Sequence, residues 1–259
     1  LPFGFIAGNT VAMATQSRLP AFLLTRPVAQ SQRFADALRE RFGPGLSITI
    51  SPLIKPEFLA SDIPAGPFEA AIFTSETGVA GYARQPAAFS LTSKRAYCVG
   101  ERTADAAKSA GLEPVSADGD ANALIALIKS HSPKGPLIHL CGQDTRGDVA
   151  EHLSRSGIHT SVCVVYHQAE QPLSGAAIAL LQGEYPVVVP LFSPRTAALF
   201  SAQASALLPI APLVCAALSD AVAQPVQVLP NVRLCRAAKP TAAALIEALA
   251  GWFAASSMP

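Results

Sequence analysis

The stretch AAIFTSETGV, residues 70–79, decides the fold: an apolar run of strand length, then hydroxyls and a glycine, then a helical pattern. The same arrangement recurs along the chain. Apolar runs lie at AFLLT (21–25), LSITI (46–50), AAIFT (70–74), AYCVG (96–100), LIHLC (137–141), TSVCVVY (160–166), VVVPLF (187–192), LVCAAL (213–218) and VRLC (232–235). Helix-length segments lie between most of them. From Gln30 to Phe42, the residues Phe34, Leu38 and Phe42 recur at i, i+4 and i+8, an apolar helix stripe, and 148–155 and 241–253 read likewise. Strands alternating with helices predict an α/β fold built on parallel sheets with helices on both faces.

Half of the 259 residues are hydrophobic and 14% are charged, enough to bury a large core. A net charge of +1 excludes whole-molecule steering toward nucleic acid, so an anionic ligand has to be held by local geometry. The most apolar stretch, 204–218, is interrupted by Pro209 and Pro212 and is too short to span a bilayer. Residues 1–20 read as a flexible N-terminal extension, a poor signal peptide, with Met13 as the expected start of translation. Cys98, Cys141, Cys163, Cys215 and Cys235 stand singly in apolar runs with no CxxC, which predicts buried free thiols and a reducing cytoplasm.

Two breaks divide the chain. Pro52 and Pro56 bracket PLIKPEF, where neither a helix nor a central strand runs easily, and HQAEQPLSG follows the strand that ends at Tyr166. If both are crossings of one hinge, residues 21–53 plus 172–259 form one discontinuous lobe and 58–165 the other. That arrangement predicts a cleft between the lobes, where ligands are commonly bound, the alternative being a continuous two-domain split.

Ligands of parallel α/β sheets meet the carboxyl ends of the strands. Here those ends carry Thr25-Arg26-Pro27, Thr74-Ser75-Glu76-Thr77-Gly78, Gly100-Glu101-Arg102-Thr103, Gly142-Gln143-Asp144-Thr145-Arg146, Ser193-Pro194-Arg195-Thr196 and Ser219-Asp220. Ser193-Pro194 is an N-cap followed by proline at the first helical position. Capping accounts for any one such site; together they would offer helix N-termini to an anion at no cost in net charge. There is no GxGxxG, no GxxxxGK[ST], no GxSxG and no HExxH, and the histidines form no metal-ligand spacing. His139 reads as a packed side chain within a strand. Tyr166 is the candidate acid, since a phenol keeps its proton at neutral pH and can donate to a leaving oxygen.

Taken in order, LLTRP (23–27), ISPLIKPEF (50–58), FTSETGV (73–79), CVGERTADA (98–106), LCGQDTRGD (140–148), SVCVVY (161–166) and LFSPRTAALF (191–200) resemble the uroporphyrinogen-III synthase family from Phe22 to Phe253. One departure stands out. The family's Gly-x-Thr-Thr-Ala stretch is replaced by 218–223, where Ser219 alone remains as a donor.

The resemblance implies a cofactor-independent lyase without metal. Its substrate would be hydroxymethylbilane, a linear octacarboxylate tetrapyrrole. The enzyme would expel its hydroxyl, invert ring D through a spiro intermediate and close the ring to uroporphyrinogen III. It implies two α/β lobes joined by two β-like linkers, with Arg26, Thr74, Ser75, Gly100, Thr103, Gly142, Arg146, Ser193 and Ser219 binding substrate and Tyr166 assisting loss of the hydroxyl. A cytoplasmic monomer is expected, with hydroxymethylbilane synthase as a transient contact and no nucleic-acid or membrane partner. The rival reading is a non-catalytic two-lobed binding protein for an anionic small molecule.

Overall fold

The computed structural model describes residues 20–60, 62–144 and 148–256. In chain order it forms β1 (Ala21–Leu24), α1 (Val28–Phe42), β2 (Ile48–Ile50), β3 (Ile54–Phe58), β4 (Ala70–Phe73), α2 (Glu76–Arg84), β5 (Arg95–Cys98), α3 (Glu101–Ser109), β6 (Glu113–Ser116), α4 (Ala121–His131), β7 (Leu137–Gly142) and α5 (Val149–Arg155). There follow β8 (Thr160–Glu170), α6 (Gly175–Leu181), β9 (Val187–Leu191), α7 (Pro194–Leu207), β10 (Leu213–Ala217), α8 (Asp220–Ala223), β11 (Val232–Arg236) and α9 (Ala242–Ser256). The chain divides into two compact units. One takes the residues up to Leu53 together with those from Pro172 onward, and the other is Ile54–Gln171.

The discontinuous unit holds a five-stranded sheet of order β11-β10-β9-β1-β2, every neighbour parallel. Its central strands β1, β9 and β10 are apolar because both faces are covered. On one face Leu23, Val187, Val189 and Cys215 pack against Ala177 and Leu181 of α6 and Ala197, Phe200 and Ala204 of α7. On the other, Phe22, Leu24 and Val188 meet Phe34 and Leu38 of α1 and Leu245 and Leu249 of α9. The 3.6-residue stripe of α1 thus buries Phe34 and Leu38, while Phe42 packs at the rim.

The continuous unit holds a six-stranded sheet, β3-β8-β7-β4-β5-β6. All pairings are parallel except β3 with β8. Phe73, Ile138 and Leu140 face α2 and α3, whereas Ile72 and Leu137 face Leu124 and Ile128 of α4 and Leu153 of α5.

One expectation needs correcting. Tyr166 does not end its strand: β8 runs on to Glu170. Beyond Tyr166 it pairs antiparallel with β3, from Phe58 opposite Tyr166 to Ile54 opposite Glu170. PLIKPEF, where no central strand runs easily, supplies that partner as an edge strand. Pro56 is tolerated there because β3 lies at the sheet edge, where a missing N–H breaks no ladder. The expected N-terminal extension and start at Met13 lie outside the described residues.

Candidate active site

Ser75 just after β4, Gly142 ending β7 and Tyr166 within β8 meet in the continuous unit. Ser75 is the N-cap of α2, its Oγ accepting the Gly78 amide at 3.0 Å, and the same Oγ lies 3.2 Å from the Tyr166 hydroxyl. Tyr166 is 9% exposed, so its ring is core while its hydroxyl meets a polar neighbour. Gly142 lies beneath that ring. A Cβ there would come within 2.5 Å of Tyr166 Cζ, so glycine is what lets the phenol lie across the end of β7. The register slips between Cys141 and Gly142, bringing Gly142 opposite Tyr166, and the Gln143 amide donates to the Tyr166 carbonyl at 2.9 Å. Thr74, one residue past β4, lies 3.3 Å through Oγ1 from His139 Nε2.

Gly100 and Thr103 mark the start of α3. Gly100 is its N-cap with no side-chain cap, and a Cβ there would meet nothing within 4 Å. Thr103 is buried and its amide donates to the Gly100 carbonyl. Two first-turn acids, Glu76 and Glu101, stand near these helix starts, with Arg102 reaching Glu76 at 4.0 Å. These carboxylates oppose an incoming anion, so the picture of uniformly anion-ready helix starts needs tempering. Arg146 lies outside the described residues.

In the discontinuous unit, Arg26, Ser193 and Ser219 follow the adjacent strands β1, β9 and β10. The Arg26 guanidinium stacks over the Phe192 ring at 4.0 Å, and Phe34 meets the same ring edge-on. Ser193 caps α7 ahead of Pro194, as the Ser-Pro pair predicts. Its Oγ accepts the Thr196 amide at 3.2 Å and lies 2.8 Å from Thr196 Oγ1. Much of its hydrogen-bonding capacity is thereby used within the helix. Ser219 begins α8 without a side-chain cap, and Asp220 beside it is paired with Arg236.

His139 is packed within its strand, as expected, but the sequence does not single out its pairing with Thr74, the close approach made by Gly78 and Gly81, or Phe192. A Cβ at Gly78 would lie 2.7 Å from the Leu140 carbonyl oxygen and one at Gly81 2.6 Å from Val165 Cγ2, so the two glycines set α2 close against β7 and β8. Their signal is the i, i+3 spacing on one helix face. Phe192 is signalled only by being an aromatic next to Ser193, and His139 by being the one polar side chain within LIHLC. Among the described residues, no group of three or more His, Cys, Asp or Glu could hold a metal ion, and no helix is long and apolar enough to cross a membrane.

No curated protein matches the sequence at the significance required. Among solved structures, uroporphyrinogen-III synthetase from Helicobacter pylori 26695 is similar, with a TM-score of 0.59 at 14% identity, covering 90% of this chain and all of that one. A mutant uroporphyrinogen III synthase from the extremely thermophilic bacterium Thermus thermophilus aligns at 15% identity over 91% of this chain and 98% of that one, with a TM-score of 0.45. The sequence model of the uroporphyrinogen-III synthase HemD family matches residues 32–247, well over half of the molecule. By that match, the chain belongs to the uroporphyrinogen-III synthase family.

Proposed function

We propose that the chain is a cofactor-independent lyase that converts hydroxymethylbilane to uroporphyrinogen III. The observation that carries this reading is the Ser75–Tyr166 pair laid over Gly142, where β4 and β7 end beside the middle of β8. A phenol held there keeps a proton ready for the hydroxyl that must leave. Its donation to the departing oxygen releases water. The carbon so exposed is attacked by the substituted α-carbon of ring D to give the spiro intermediate. The bond from that carbon to the ring C methylene breaks, the methylene bonds the free α-carbon of ring D, and the proton lost there returns to the Tyr166 phenolate. Ser75 holds the phenol in place throughout.

The substrate's carboxylates and pyrroles are assigned to Arg26, Ser193 and Ser219 in one unit and to Thr74, Ser75, Gly100, Thr103, Gly142 and Arg146 in the other. Arg26 and Arg146 are the charge partners. Hydroxymethylbilane closes unaided to the wrong isomer, so the chief task is positioning, which supplies several kcal/mol toward a barrier. The five buried free cysteines suit a reducing cytoplasm, and a single chain is the working unit. Hydroxymethylbilane synthase is the proposed transient neighbour.

The test is direct. Freshly prepared hydroxymethylbilane is supplied, the products are oxidised, and the porphyrin isomers are separated. Type III should dominate; type I alone, formed at the uncatalysed rate, would overturn the assignment.

A further inference from the structure

Strand β7, Leu137–Gly142, is buried from end to end. His139 is the one titratable imidazole within it, 2% exposed and opposite Ile72 of β4 and Val162 of β8. The reaction as proposed makes no use of it. A polar ring in such a run is costly unless a partner meets it, and the partner here is the Thr74 hydroxyl at 3.3 Å. Burial also pushes the imidazole down to about 4, so at neutral pH it is uncharged and offers one donor and one acceptor. Thr74 follows Phe73 and, by strand alternation, lies on the sheet face of Ile72 and His139. Tyr166 packs with Phe73 and Leu140 on the opposite face. Two polar pairs therefore flank the end of β4, Thr74–His139 on one side and Ser75–Tyr166 on the other.

We infer that His139 is a positioning residue that fixes the Thr74 hydroxyl, which in turn takes a polar group of the substrate. The inference rests on Thr74 meeting substrate, as proposed above. A merely structural histidine would affect folding or turnover whatever stands at position 74. A positioning one acts through that hydroxyl alone.

A double-mutant cycle on the full chain separates the two. Thr74→Val should raise KM for hydroxymethylbilane about five- to tenfold with little change in kcat, the loss expected for one hydrogen bond. His139→Leu should raise KM by a similar factor. The double variant should be no worse than Thr74→Val, and His139→Gln, which keeps a donor and an acceptor, should recover most of the loss. If Thr74→Val is impaired but His139→Leu is not, or if their effects multiply, the role of His139 is overturned while Thr74 stays a substrate contact. Wild-type kinetics in Thr74→Val would remove Thr74 from the substrate and the inference with it. Should His139→Leu fail to fold, the ¹⁵N resonances of the His139 ring serve instead. They must shift in Thr74→Val, and unchanged resonances would overturn the inference.

Discussion

Tyr166 sits in the core by its ring and meets a polar neighbour by its hydroxyl. Its ring packs with Phe73, Val79 and Val165, and its hydroxyl reaches Ser75 Oγ. Tyr166→Phe should therefore leave the urea unfolding midpoint nearly unchanged, within about 1 kcal/mol, while kcat falls about 10²-fold. Wild-type turnover in that variant would remove the acid role. Gly142→Ala acts differently, because its Cβ would overlap a buried ring rather than a flexible tip. It should destabilise by about 1–3 kcal/mol and lose activity together with the displaced phenol, read by thermal unfolding and turnover.

His139 carries a separate prediction about pH. It is neutral in the fold, titrating near 4, while the unfolded chain takes up its proton below 6.5. Between those values the unfolded state binds more protons, so stability falls as pH drops through that window and levels off below it. At pH 5 the loss from this group alone is about 2 kcal/mol relative to pH 8. The difference in urea stability between wild type and His139→Leu should shift by that amount between the two pH values. A constant difference would mean the imidazole is not buried neutral.

Among elements, α2 is the one whose sequence most tightly dictates its place. Gly78 and Gly81 let its backbone approach β7 and β8 more closely than any side chain would allow. Gly81→Ala should cost about 1–3 kcal/mol by driving a methyl into Val165, and Val165→Ala in the same chain should restore part of it. Equal stabilities for Gly81→Ala with and without Val165→Ala, in urea titrations, would show that the contact is not the cause. The nine apolar runs are legible because a parallel strand covered on both faces is a continuous hydrophobic stretch. The two strands that the runs miss, β3 and β6, are the two edges of the six-stranded sheet. Pro56 and Pro114 stand in them, and β3 alternates between half-buried and exposed residues. A strand bonded on one side only tolerates proline and polarity, and those residues hide it from a search for apolar runs. The site divides the same way. Ser75 and Gly142 can be singled out by following an apolar run and Tyr166 by closing one, but the slip that brings Gly142 under Tyr166 is a property of the β7–β8 register, not of either segment.

At the scale of the molecule, the two units differ in how the chain completes them. Residues 54–171 contain all six strands of their sheet and the helices on both its faces. The other sheet is assembled from two distant segments, with β1 seated between β9 and β2. Phe22 and Leu24 of β1 fill one face and Leu23 the other, all at most 2% exposed. Removing β1 strips the ladder of β9 and opens both cores at once. A fragment of residues 54–171 should accordingly fold alone, with a single cooperative urea transition and dispersed amide resonances. A fragment of residues 172–259 should show no such transition until a peptide of residues 20–53 is added, whereupon β1, α1 and β2 supply the missing strands and the stripe of Phe34 and Leu38. Cooperative unfolding of 172–259 without the peptide would mean that β9, β10 and β11 make a sufficient sheet, and that β1 is an addition to that unit rather than part of its core.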